Sequence, residues 1–163
     1  MRFLSPSYLL LSLALGLMSG TMAAGDLYSY AMVNDDGTLK IKGRIVHLYG
    51  IYLPPTDHTC RSNIRPVRCA SRAALELDSK IRGFVRCEPQ SRNDDGSLNA
   101  ICYVDSSSFS EGEDLGAYLL SWGWAVALPN APFEYHVLED IARERGLGIW
   151  GMQADQVIRR RRR

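Results

Sequence analysis

The sequence predicts an α+β domain in which a five-stranded β-barrel packs against three α-helices. Three strand patterns come first, a helical pattern follows, and two further strands and two helices complete the order. The strand patterns are rich in β-branched and aromatic residues, whereas the helical patterns repeat apolar residues at three- and four-residue spacing. We also expect no internal repeats.

The strands of the predicted barrel form a three-stranded meander followed by a hairpin. The meander strands are 27–33, 38–41 and 44–49, and the hairpin strands are 84–87 and 98–104. Glycines and asparagines in the intervening segments supply the turns. The prolines and polar residues of 51–66 indicate an irregular loop between the two groups.

Three apolar stripes at helical spacing predict the helices. The first stripe is Ala70, Ala73, Ala74, Leu77 and Ile81. The second is Leu115, Tyr118, Leu119 and Trp122, and the third is Phe133, Val137, Leu138, Ile141 and Ala142. Asp114 and Pro132 precede the second and third stripes as helix-start signals. We expect all three tryptophans to pack in the core.

Residues 1–24 have the pattern of a secretory signal peptide. Arg2 is followed by a short apolar run and then by small residues, which is the usual order of a charged start, an apolar middle and a cleavage region. The alternative is a membrane anchor, but the apolar run is about half the ~20 residues that a spanning helix needs. We therefore expect an exported chain, periplasmic or secreted, with no transmembrane segment after cleavage, a domain over 25–151 and a basic tail over 152–163.

The four cysteines indicate disulfides, because thiols of exported proteins are usually oxidised. They are Cys60, Cys69, Cys87 and Cys102. Four cysteines allow three pairings, and their spacing favours Cys60–Cys69 with Cys87–Cys102. A four-thiolate zinc site is the alternative, but such sites usually contain two closely spaced pairs.

Charge is divided between the domain and the tail. Residues 25–158 carry a net charge of −5, and the last five residues carry +5. The tail residues are Arg159, Arg160, Arg161, Arg162 and Arg163. Runs of one charge commonly bind polyanions, so anionic lipid, lipopolysaccharide and nucleic acid are the expected partners of the tail. A tail that only increases solubility is the alternative. The acidic domain is not expected to bind nucleic acid broadly.

Three sequence segments resemble the thermonuclease, or staphylococcal nuclease-like, domain family. They are Asp35-Asp36-Gly37-Thr38-Leu39, Val46-His47-Leu48-Tyr49-Gly50-Ile51 and Gly123-Trp124-Ala125-Val126-Ala127. Ala142-Arg143 and Gly148-Ile149-Trp150 follow in the same order, so the similarity spans about residues 28–150. The resemblance implies an OB-type barrel with three helices. The activity it implies is calcium-dependent cleavage of DNA and RNA.

The residues that carry out this chemistry in the family are replaced here. The resemblance assigns the two metal carboxylates to Gly37 and Tyr52, the catalytic glutamate to Pro55, and the two phosphate-binding arginines to His47 and Ser97. Calcium prefers carboxylate and carbonyl oxygens, and histidine lacks the two-pronged donor geometry of arginine. All five positions differ from the family.

The sequence therefore predicts a non-catalytic, nuclease-like barrel that needs no cofactor and acts as a binding or interaction module. His47 and Tyr52 are the candidate contacts for an unidentified ligand or protein in the barrel cleft, and the alternative for Tyr52 is that it only fills the space of the missing metal site. The alternative is a calcium-dependent or unconventional nuclease that hydrolyses phosphodiesters of DNA or RNA, with Asp35 or Asp36 shifted by one residue to hold the metal.

Overall fold

Thirteen short elements follow one another in the described part of the computed structural model. The structure describes residues 25–56, 59–61 and 68–151. In chain order the elements are β1 (Leu27–Val33), β2 (Leu39–Ile41), β3 (Arg44–Leu48), β4 (Ile51–Tyr52), β5 (Thr59–Arg61), β6 (Arg68–Ala70), α1 (Arg72–Lys80), β7 (Phe84–Arg92), β8 (Leu98–Val104), β9 (Glu113–Asp114), α2 (Leu115–Ser121), β10 (Val126–Ala127) and α3 (Phe133–Glu144).

One parallel strand pair closes the barrel. Antiparallel pairing gives the order β3-β2-β1-β7-β8, and β3 also pairs with β8 in parallel. Leu39 lies opposite Val46, and Val46 lies opposite Leu98, so a row of buried side chains crosses three strands. These pairings confirm the predicted α+β architecture of a five-stranded barrel with three helices, which is consistent with an OB-type fold.

Side-chain caps and one close contact position the helices. The Ser71 hydroxyl accepts the Ala74 N–H at the start of α1, at 3.2 Å, and the Asp114 carboxylate accepts the Gly116 N–H at the start of α2, at 2.7 Å. The Tyr135 hydroxyl donates to Asp114 across 2.6 Å and joins α3 to α2. Burial and this hydrogen bond raise the pKa of Tyr135, so the phenol stays protonated. A Cβ at Gly116 would lie only 2.7 Å from the Tyr135 oxygen.

The segment between β3 and β7 differs from the prediction. In place of a continuous irregular loop over 51–66, the structure has β4 and β5, and β5 pairs with β6. Ala70 belongs to β6, and α1 begins only at Arg72. Strands of two or three residues are too short to produce a recognisable period in the sequence. Strand β7 also extends beyond the predicted end, to Arg92, because its pairing with β8 continues that far.

The face that helix α3 presents to the core agrees with its predicted apolar stripe only at Leu138 and Ala142. Its buried side chains are Tyr135, Glu139 and Ala142. The expected core residues Phe133, Val137 and Ile141 are exposed. Glu139 lies inside because its carboxylate accepts the Ala127 N–H at 2.8 Å and pairs with Arg143. The hydrogen bond donated by Tyr135 and those accepted by Glu139 therefore favour this orientation of the helix.

The tryptophans follow the prediction only in part. Trp122 is 53% exposed, so its predicted core position is wrong. It lies at the C-terminal end of α2, where its ring packs beside Tyr118 with centroids 6.4 Å apart. Trp124 is partly buried against the core, and Trp150 is also partly buried.

One predicted disulfide is present between barrel strands. Cys87 and Cys102 are bonded, buried and directly opposite each other on β7 and β8. The backbone register of β5 and β6 also sets Cys60 opposite Cys69, and their predicted bond stays a prediction.

Two predicted segments lie outside the described residues. They are the signal peptide over 1–24 and the tail over 152–163, with its five arginines. Among the elements that the structure does describe, no helix has both the length and the apolar character needed to cross a membrane.

Candidate functional site

A small cleft lies where the β1–β2 turn meets β3 and β4. Its volume is about 230 Å³. The lining residues are Asp36, Gly37, Thr38, His47, Leu48, Ile51, Tyr52 and Leu53. They combine one acidic side chain, a histidine and an aromatic ring with an apolar floor, and no lysine or arginine is among the described residues that line the cleft.

Strand alternation places the two candidate contacts in this cleft. His47 lies between the buried residues Val46 and Leu48 on β3, so its side chain points away from the barrel core. Tyr52 follows buried Ile51 on β4 and is 51% exposed. The pairing of β4 with β10 fixes this short strand. The ring of Tyr52 therefore forms an accessible surface of the cleft.

The structure brings together three of the five positions to which the resemblance assigns nuclease roles. Gly37, His47 and Tyr52 all line the cleft. Pro55 is exposed and does not line it, and Ser97 is buried in the β7–β8 turn. The parallel pairing of β3 with β8 sets His47 opposite Asn99, so the β7–β8 turn lies beside the cleft.

The side chains at the cleft do not fit calcium. Gly37 has no side-chain donor, and a tyrosine stands at the second expected ligand position. Asp36 does line the cleft, but its Oδ1 accepts hydrogen bonds from the Thr38 N–H at 2.9 Å and from the Thr38 hydroxyl at 2.8 Å. Within the described ranges, no three His, Cys, Asp or Glu side chains are grouped closely enough to share a metal ion.

The two turns beside His47 repeat one six-residue pattern. Residues 34–39 read Asn-Asp-Asp-Gly-Thr-Leu, and residues 93–98 read Asn-Asp-Asp-Gly-Ser-Leu. The expectation of no internal repeats is therefore wrong at this scale. The pattern is short and its copies are far apart, but a search for repeated turn sequences would have found it.

The repeated sequences also fold alike. In the second turn the Ser97 N–H and hydroxyl donate to Asp95 Oδ1 at 2.9 and 2.6 Å, as Thr38 donates to Asp36 in the first. The asparagine amide of each turn donates to the same hydroxyl, at 2.9 Å from Asn34 and 2.8 Å from Asn93. The hydroxyl of Ser97 is therefore hydrogen-bonded within its own turn.

Hydrogen bonding also affects the charge of the second turn. The hydrogen bonds from Ser97 lower the pKa of Asp95, with a smaller contribution from nearby His47. The Asp95 carboxylate is therefore held in its ionised form near the histidine. The position that the resemblance assigns to a phosphate-binding arginine instead supports an anionic turn.

Sequence reasoning identified the cleft but not all of its polar groups. It did not place Thr38 in the lining, and it treated Asp36 only as a possible displaced metal ligand. Each turn begins with an asparagine and ends near a threonine or a serine. This pattern could have predicted the hydrogen bonds, because Asp, Asn, Ser and Thr commonly hydrogen-bond to nearby backbone in turns.

Comparison with known proteins adds no assignment. No protein-family model matches the sequence, and no curated protein matches it. The relationship to the staphylococcal nuclease-like family stays a prediction from the sequence motifs.

Proposed function

We propose that this protein is a non-catalytic, staphylococcal nuclease-like barrel that binds a ligand or a protein segment in its cleft. One observation carries the proposal. The cleft gathers Gly37, His47 and Tyr52, three positions of the predicted nuclease site, yet these residues supply neither a carboxylate nor a guanidinium. These three positions form a binding surface and lack the charged groups that phosphodiester cleavage would use there.

The proposed binding chemistry follows from the lining. Tyr52 offers a half-exposed ring, and His47 offers a ring nitrogen for hydrogen bonding. Leu48, Ile51 and Leu53 supply apolar contacts. A small organic group or a single side chain of a partner protein fits a volume of about 230 Å³.

The size of the lost catalytic effects favours binding over catalysis. Each missing electrostatic group contributes about 3 kcal/mol in well-studied enzymes. Two such losses reduce the rate by more than ten-thousand-fold, because about 1.4 kcal/mol corresponds to a factor of ten. With five positions replaced, the alternative nuclease requires new residues at the cleft, and among the described residues Asp36 is the only acidic side chain that lines it.

The remaining parts of the proposal concern location and the tail. The signal pattern of residues 1–24 supports an exported protein, periplasmic or secreted. The five terminal arginines support a role in holding anionic lipid, lipopolysaccharide or nucleic acid. Neither role needs a metal cofactor.

Thermal unfolding with and without calcium tests the proposal. We expect the same Tm in calcium, in magnesium and in a chelator. A site occupied at one hundred times its Kd would add about 2.7 kcal/mol, which corresponds to a rise in Tm of roughly 5–15 °C for a domain of this size.

Two matched variants would locate any calcium effect. Asp36→Asn removes the acidic group of the cleft, and Asp95→Asn makes the same change in the equivalent turn. A calcium-induced rise in Tm that Asp36→Asn abolishes and Asp95→Asn preserves would contradict the proposal and favour a metal-dependent nuclease.

A further inference from the structure

An exposed cluster of aromatic and apolar side chains covers the outer face of β1 and its neighbours. Its members are Tyr28, Tyr30, Met32, Ile45 and Phe84, which we call the aromatic face. Tyr30 and Met32 are about two-thirds exposed, at 66% and 65%. Strand pairing sets Tyr30 beside Phe84 and Met32 beside Lys40, so these side chains form neighbouring rows of one surface.

Exposed cations border the aromatic face. Lys40 lies between Met32 and Ile45 in the strand register, and Lys42 follows in the β2–β3 turn. Arg44 lies in the same hairpin, and Arg82 precedes Phe84 by two residues. All four cations are exposed, and none forms an ion pair within the described residues. By contrast, Arg86 on β7 is paired with Asp26 and Glu88.

The exposed cations and the exposed apolar side chains together favour a partner in which negative charges overlie an apolar layer. Unpaired cations around exposed apolar side chains match a lipid bilayer, whose anionic headgroups overlie hydrocarbon. Tyrosine suits this boundary because its ring is apolar and its hydroxyl is polar. The acidic charge of the domain as a whole does not prevent such contact, because Lys40 lies in register between two side chains of the face and Lys42 follows in the adjacent turn.

The ring geometry argues against single-stranded nucleic acid as the occupant. Tyr28 and Phe84 stack at 5.1 Å with an angle of 15°, and Tyr30 packs on Phe84 at 4.2 Å with an angle of 33°. Nucleic-acid bases need free ring faces on which to stack. Here Phe84 packs against both Tyr28 and Tyr30, so fewer ring faces are free for bases.

We propose that the aromatic face and its four cations form a docking surface for membranes that contain anionic lipids. The face lies on the barrel, so it is distinct from the arginine tail. It gives the chain a second attachment point, and two weak attachments bind a membrane much more stably than one. The inference does not depend on the ligand proposed for the cleft.

Vesicle sedimentation with the full chain tests this surface. The probes are vesicles of phosphatidylcholine alone and of phosphatidylcholine with phosphatidylglycerol. We expect binding to the anionic vesicles only. Changing Tyr30→Ser and Met32→Ser together should weaken binding at least about tenfold, because apolar contact area is lost. Changing Lys40→Gln and Lys42→Gln together should weaken it about 25-fold, or roughly fivefold per cation.

A matched pair on α3 controls for loss of apolar surface in general. Phe133→Ser with Val137→Ser removes two exposed apolar side chains far from the cations in sequence, and it should leave binding unchanged. Truncation after Ile158 should weaken binding but leave the part that depends on Tyr30 and Met32. Unchanged Tm values would establish that each variant folds.

Three results would overturn the membrane assignment. The first is failure of the full chain to bind anionic vesicles. The second is binding that the Tyr30/Met32 and Lys40/Lys42 variants retain at full strength, which would assign attachment to the tail. The third is that the protein binds a single-stranded oligonucleotide but not vesicles, and that the same two variants lose this oligonucleotide binding.

Discussion

Replacing Cys87 and Cys102 together with alanine should lower the free energy of unfolding by about 3 kcal/mol. The bond joins β7 to β8 across a sequence separation of 15 residues, and both sulfurs are fully buried. Its loss removes a constraint on the unfolded chain and contacts in the barrel interior. Urea unfolding of the oxidised protein and the double variant measures the effect.

Thiol counting on the denatured, unreduced protein provides the matching chemical measurement. Two disulfides predict no free thiol in the natural chain. The double variant should also contain no free thiol, because its two remaining cysteines, Cys60 and Cys69, are predicted to be bonded. Two or more free thiols in the natural chain would contradict the two-disulfide prediction, and a stability change well under 1 kcal/mol would contradict the bracing role of Cys87–Cys102.

Placing a carboxylate at the first metal position that the family resemblance implies, as Gly37→Asp, should destabilise the protein by roughly 2–4 kcal/mol. Gly37 has a φ of +87°, a region that side-chain-bearing residues enter at a cost. A Cβ there would also lie 2.5 Å from Leu53 Cδ1. Any variant that restores all five family side chains carries this cost. Urea unfolding of the variant measures it.

Gly96→Asp is the matched control, because Gly96 occupies the same place in the repeated turn. Its φ is +83°, and no atom lies within 4 Å of a Cβ built there. It should therefore cost only the backbone part, about 1–2 kcal/mol. Adding Leu53→Ala should reduce the difference between the two aspartate variants. Equal costs for Gly37→Asp and Gly96→Asp would show that Leu53 does not restrict the site.

The barrel could be predicted from sequence because its signals are local. The stripe that includes Ala73, Ala74 and Leu77 reports directly on one buried face, whereas the strand signal of β1 predicted the element but not its face, because Tyr28, Tyr30 and Met32 are exposed. Asp114 also marked the start of α2 correctly. These features depend on neighbouring residues in the chain.

Features that depend on distant partners were not predictable in the same way. The orientation of α3 follows from Tyr135 reaching Asp114 and from Glu139 reaching Ala127. A prediction that counts only apolar residues assigns both Tyr135 and Glu139 to the polar surface of the helix. At the candidate site, the family resemblance pointed to Gly37, His47 and Tyr52, but only the fold shows that they share a cleft while Pro55 lies outside its lining.

The most direct measurement is cleavage of single-stranded DNA by the purified natural protein in calcium. The proposed binding function predicts no cleavage above that of the His47→Ala and Tyr52→Ala variants, which control for contaminating nuclease. Both side chains are accessible cleft residues, so neither change is expected to unfold the barrel. Robust calcium-dependent cleavage by the natural protein, lost in either variant, would contradict the account and identify a nuclease with a rebuilt active site.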